Sequence, residues 1–124
     1  MSTKLRGVRG ATTVTKDDTQ EILQATETLV SDMVQQNNIE VESIASVWMT
    51  MTQDLTATFP ARCLRHMSGW TFVPVMCAQE VAVPGSLEKC IRVMIHYHTD
   101  RAQHEIRHVY QNKATSLRPD LSLT

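Results

Sequence analysis

Arginine, glutamate and tyrosine carry the chemistry open to this chain. Arg92 lies in the run Cys90-Ile91-Arg92-Val93-Met94-Ile95-His96-Tyr97-His98-Thr99-Asp100, whose apolar positions 91, 93, 95 and 97 alternate. Alternation is the period of a strand, and it puts Arg92 on the face of Met94, His96 and His98, away from Ile91 and Val93. An arginine there either faces water on a half-exposed sheet or holds its planar fork of five donors over an anion. Arg9, Arg62, Arg65 and Arg118 stand near the ends of other predicted elements, together with one carboxylate, Glu80, and one phenol, Tyr110. Such a set suits a small dianion or dicarboxylate held through bidentate pairs. It contains no base-nucleophile pair, so an enzyme built on it would hold and polarise its substrate rather than attack it.

Other chemistries find less support. Cys77 is the one nucleophile to consider, yet it closes an apolar strand, where cysteine is ordinarily a small buried hydrophobe. No Gly-x-Ser-x-Gly elbow occurs. His96 and His98 share a strand face, and His104 and His108 fall one turn apart on a predicted helix, a spacing that zinc could use. No acidic cluster accompanies them, so neither a metal nor another cofactor is expected. For Arg62 and Arg65, three apart on a short helix, the ordinary alternative is a solvated face.

The 124 residues suit one domain, 1–124, with a core of its own. Twelve basic residues against thirteen acidic ones leave a net charge of −1, which gives no pull toward nucleic acid or an anionic membrane. Three cysteines, an odd number without zinc spacing, suggest a reducing compartment. The start, Met1-Ser2-Thr3-Lys4-Leu5-Arg6-Gly7, has no apolar core, and no run of about 18 apolar residues occurs, so a cytoplasmic protein is expected.

These residues need elements to position them. Leu5 to Val14 reads as a strand with Arg6 and Arg9 on opposite faces and a bulge or close backbone approach at Gly7 and Gly10. Asp17 to Asn37 takes helical spacing, with Ile22, Leu23, Leu29, Val30, Met33 and Val34 as the buried stripe, Thr15 or Asp17 as N-cap and Asn37-Asn38 as the stop. Ile44 to Thr52 alternates as a second strand, Ala45, Val47, Met49 and Met51 against Ser46, Trp48, Thr50 and Thr52. Ala61 to Met67 reads as a short helix after Pro60, with Gly69 beyond its end. Phe72 to Cys77 predicts a third strand, at an edge or a start because of Pro74. Pro84-Gly85 marks a type II turn before the strand of Arg92. If the strands on either side of that turn are near neighbours, Glu80 and Arg92 meet over one site. Gln103 to Asn112 predicts a helix, and Ala114 to Leu117 a last strand before Arg118-Pro119-Asp120. The economical fold is a single α+β domain, a mixed or antiparallel sheet covered by the long helix.

Six colinear motifs then point to a family. Arg6-Gly7-Val8-Arg9-Gly10-Ala11-Thr12-Thr13, Asp54-Leu55 with Phe59-Pro60-Ala61-Arg62, Val73-Pro74-Val75 with Cys77 and Glu80, Cys90-Ile91-Arg92-Val93-Met94, Ile106-Arg107-His108-Val109-Tyr110 and Leu117-Arg118-Pro119-Asp120-Leu121 resemble the monofunctional chorismate mutases of the trimeric Bacillus type. The resemblance implies rearrangement of chorismate to prephenate, without a cofactor, toward phenylalanine and tyrosine. It also implies an α+β chain whose three copies form a barrel-like homotrimer with sites between subunits. By the same likeness Arg92 bonds the ether oxygen of the breaking bond, Arg9 pairs with a substrate carboxylate, Glu80 and Cys77 stand at the ring hydroxyl, and Tyr110 contacts the side-chain carboxylate. Phe59 is then an apolar wall, and Arg62, Arg65, Leu117 and Arg118 a closing rim. A noncatalytic binder or sensor of small carboxylates would use the same pocket, but only a mutase would consume chorismate.

Overall fold

In the computed structural model, which describes residues 2–117, the chain runs β1 (Lys4–Thr13), α1 (Thr19–Gln36), β2 (Ile44–Met51), β3 (Val75–Gln79), β4 (Cys90–Thr99) and β5 (Val109–Tyr110). Segments of 3-10 helix lie at Val41–Ser43, Pro60–His66, Gln103–Glu105 and Asn112–Ser116. The strands make one mixed sheet in the order β3-β2-β4-β1-β5. β4 is antiparallel to β1 and β2, while β3 runs parallel to β2 and β5 parallel to β1. This is the expected α+β architecture, with the Arg92 strand at its centre.

α1 covers one face only. Its stripe Ile22, Leu29, Val30 and Met33 is buried: the main core joins Val8, Val47, Met49, Val93, Ile95 and Tyr97 to Leu29, Val30 and Met33, and a second cluster joins Val14, Leu55 and Ile91 to Ile22. Thr26 also lies in the stripe, its hydroxyl donating to Ile22 O at 2.7 Å, so the buried polar atom is satisfied within the helix. Gly10 is needed where helix meets strand, since a Cβ there would stand 2.4 Å from Met33 Sδ. The helix begins at Thr19, two residues later than expected. Asp18, not Thr15 or Asp17, is the N-cap, accepting from Glu21 N at 3.0 Å. Asn37 is the C-cap and Asn38 follows at φ 50°, as the Asn-Asn stop requires.

Four expectations are corrected. β3 spans Val75–Gln79, with Phe72, Val73 and Pro74 leading into it, because proline has no N–H for the ladder, although Pro74 O accepts from Val47 N at 2.9 Å. It is an edge strand, as Pro74 indicated. A bulge between Ile44 and Ser46 turns Ala45 outward and buries Ile44 beside Val47, shifting the alternation of β2 at its start. Gln103 to Asn112 is not a helix. A 3-10 turn, held by Glu105 Oε1 accepting from Ala102 N at 2.7 Å, leads into an extended segment and β5. Ile106 and Val109 mimic helical spacing, but the edge of β1 offers backbone partners and Val109-Tyr110 suits a strand. Ala114 to Leu117, expected as a strand, instead falls in a 3-10 segment, Asn112–Ser116, opened by Asn112 at φ 55° and capped by Leu117.

Candidate active site

The pairing register puts Ala78, Thr50, Arg92, Ala11 and Tyr110 in one row across all five strands. The row lies on the face away from α1, because its β4 member alternates with the buried Ile91 and Val93. Arg92 Nε stands 2.9 Å from Glu80 Oε2. Its N–H is not aimed at that oxygen, so the contact is an ion pair of proximity rather than a directed hydrogen bond. Their strands are not neighbours. β2 lies between them, and Thr50 spans the gap, its hydroxyl donating to Glu80 Oε2 at 2.6 Å. Glu80 N continues the edge ladder, donating to Met51 O at 2.9 Å.

Glu80 is mostly enclosed, its side chain 14% exposed, whereas that of Arg92 is 39% exposed and reaches the surface. Cys90 sits fully buried beside Arg92, and burial pushes its thiol up to about 11 although the guanidinium partly opposes this. On β1, Arg9 Nε donates to Tyr110 OH at 3.2 Å, and Arg9 N donates to His108 Nδ1 at 3.0 Å. Arg9, Ala11, Arg92, Tyr110 and Leu117 line a cleft of about 90 Å³.

The other predicted residues lie elsewhere. Phe59, Arg62, Arg65 and Cys77 line a groove of about 610 Å³ with Trp70 and Val75. Cys77 stands opposite Met49 in the register, so its side chain is on the α1 face. Burial raises its pKa, and that of Cys63 climbs to about 12, so both are neutral thiols near pH 7 and no thiolate nucleophile forms. Phe59 is 67% exposed. The loop behind it is tied to the start of α1, for Asp17 accepts from Thr56 N (3.0 Å), Thr56 Oγ1 (2.9 Å) and Ala57 N (2.9 Å). Those bonds, Ala57 N–H foremost, hold the Asp17 carboxyl below its usual range. Arg62 Nη1 donates to Thr58 Oγ1 at 2.8 Å.

The predicted set therefore divides into two. Arg9, Glu80, Arg92, Tyr110 and Leu117 are together on the open face of the sheet, and Phe59, Arg62, Arg65 and Cys77 on the helix side. Cys77 and Glu80, paired in expectation, are an odd number of residues apart and leave the edge strand in opposite directions. Arg118 lies outside the described residues. Thr50, Cys90 and His108 were not singled out as site residues: Thr50 and Cys90 share the Arg92 face by alternation, but only the register shows what they touch. His104 and His108 do not share a helix, and among the described residues no group of three or more His, Cys, Asp or Glu could hold a metal ion.

The comparisons with known proteins agree in kind. The family model described as chorismate mutase type I matches residues 5–121. Chorismate mutase AroH of Bacillus subtilis (strain 168) is 50% identical over 120 residues, 97% of this chain and 94% of that protein. Chorismate mutase AroH of Thermus thermophilus is 47% identical over 118 residues, 94% of this chain and 96% of that protein. A solved chorismate mutase from Clostridium thermocellum superposes with a TM-score of 0.86 at 47% identity, covering 89% of this chain and 97% of the other.

Proposed function

Because this chain belongs to the type I chorismate mutases, and so converts chorismate to prephenate in aromatic amino acid biosynthesis, we propose that Arg92 and Glu80 are the groups that lower its barrier. In this Claisen rearrangement the carbon–oxygen bond breaks ahead of carbon–carbon bonding, which leaves negative charge on the enolpyruvyl oxygen and positive charge on the ring. Arg92 meets the first and Glu80 the second, both preorganised by the contact at 2.9 Å, the observation that carries this reading. A guanidinium has five N–H donors, more than Glu80 and Cys90 can occupy, so the fork keeps donors for the ether oxygen. Arg9, with Tyr110 on its Nε, takes a substrate carboxylate and fixes the compact conformer in which the reacting carbons approach. No proton moves and no covalent bond to the protein forms. Neutral thiols at Cys63, Cys77 and Cys90 suit that economy.

The two groups of site residues support an assembly of several copies. A cleft of about 90 Å³ holds only part of a ligand of this size, since small-molecule sites typically run from about 300 Å³ upward. The groove of Phe59, Arg62, Arg65 and Cys77 would supply the rest from a neighbouring copy, with Leu117 and Arg118 closing the rim. The open sheet face carries Trp48, 43% exposed, and Met76, 60% exposed, a surface suited to cover by another chain. The family likeness, which runs from residue 5 to 121, supports reading that assembly as a homotrimer of single-domain chains with sites between subunits. No helix of the described residues is long and apolar enough to cross a membrane, and the three free cysteines suit a reducing cytoplasm.

The test is Arg92→Lys, which keeps the charge and loses the fork. Turnover, followed as loss of the chorismate diene absorbance, should fall by at least about 10²-fold to 10³-fold. Near-normal turnover would overturn the role given to Arg92.

A further inference from the structure

Arg9 is held at its side chain by Tyr110, and its backbone has a less ordinary partner. With Gly10 opposite Val109 and Ala11 opposite Tyr110, and Gln111 N donating to Ala11 O at 2.9 Å, the parallel ladder assigns the Arg9 N–H to the carbonyl of Arg107. That carbonyl is engaged elsewhere. Asn37, 2% exposed at the end of α1, donates through Nδ2 to Arg107 O at 2.8 Å and accepts from Arg107 N at 2.8 Å, while the same Nδ2 also donates to Met33 O at 2.9 Å. The helix thereby pulls Arg107 out of the sheet. The ring of the next residue fills the place, His108 Nδ1 accepting from Arg9 N at 3.0 Å.

From this geometry we infer that His108 is a positioning residue for the reaction: its Nδ1 replaces a missing strand carbonyl and fixes the backbone from which Arg9 reaches the substrate. The inference rests on Arg9 being the carboxylate-binding group proposed above. An accepting Nδ1 requires the neutral ring with its proton on Nε2, so the side chain acts as an acceptor here and not as an acid. A carboxylate contact made alike in the ground and transition states contributes to KM more than to kcat, and its support should do the same.

The experiment measures KM and kcat for chorismate on the full chain carrying His108→Leu, His108→Asn, His108→Gln, Arg9→Ala or Arg9→Ala with His108→Leu, each checked for folding by thermal melting. Leu should raise KM about 5-fold to 10-fold and leave kcat within about twofold, the size of one lost hydrogen bond. Asn, whose Oδ1 occupies the place of Nδ1, should keep KM near that of the parent. Gln carries its oxygen one bond further and should behave like Leu, which keeps the test decisive if Leu fails to fold. The double variant should match Arg9→Ala alone, since an unused support has nothing left to hold. Unchanged KM in both Leu and Gln, or Asn as impaired as they are, overturns the inference while a raised KM in Arg9→Ala leaves the reading of Arg9 intact. Unchanged KM in Arg9→Ala removes that reading and the inference with it.

Discussion

At the residue scale, Glu80 has two tasks that can be separated. It lies against Arg92 and offers negative charge to the ring, while Thr50 holds one of its oxygens at 2.6 Å. Glu80→Gln keeps the shape and removes the charge, so kcat should fall about 10²-fold or more. Thr50→Val removes only the hydrogen bond that orients the carboxylate, a loss of about tenfold in kcat for a bond to a charged group. In both, KM should move much less than kcat, which steady-state kinetics will read. A Thr50→Val effect confined to KM would separate Thr50 from the rate step. Arg92 and its face were legible in the alternation around it, whereas the meeting of Arg92 with Glu80 was expected only if their strands were near neighbours, and it is made across the intervening β2. Thr50 was not legible, because alternation gives a residue's face but not its neighbour across the sheet, which only pairing supplies.

At the element scale, the contact between α1 and β1 depends on the missing side chain at Gly10. Gly10→Ala would drive a methyl against Met33 Sδ and to 3.1 Å from Leu29 Cδ1, in a part of the core where both partners are fully buried. The overpacking should cost about 1–3 kcal/mol, visible as a lower Tm, and an unchanged melt would show that α1 slides away freely. Asp17 fastens the loop before Phe59 to the same helix, and its pKa is depressed in the folded state. A depressed carboxyl stabilises above its unfolded pKa and loses that contribution as pH falls through the folded value. The Tm of the parent should therefore exceed that of Asp17→Asn at neutral pH, and the gap should close as pH drops below 3.8. A gap independent of pH would mean that the charge contributes nothing. The long helix and the three inner strands β1, β2 and β4 were legible from period and from the Asn-Asn and Pro-Gly stop signals, whereas the N-cap was not. The segment from Gln103 to Ser116 was not, since Ile106, Val109 and Tyr110 satisfy helical spacing. Its conformation is decided by long-range partners, the edge of β1 and the Asn37 side chain.

At the scale of the whole molecule, one chain presents its candidate residues on two sides of one sheet. No ligand can touch Arg92 and Cys77 of the same copy by passing through a packed core, so the site proposed above would need two copies, and the proposed homotrimer would supply them by head-to-tail contact repeated around a closed ring. The family resemblance could bring all these residues to one pocket by role; the sequence could not say which copy each comes from. The most direct measurement co-expresses two chains, one with Arg92→Ala and the other with Arg62→Glu and Arg65→Glu, and compares their activity toward chorismate with that of each variant alone. In a ring formed from equal amounts, about a quarter of the junctions join an intact cleft to an intact groove, so activity should return to about that share of the parent. Activity no greater than the two variants show separately would contradict a site shared between copies.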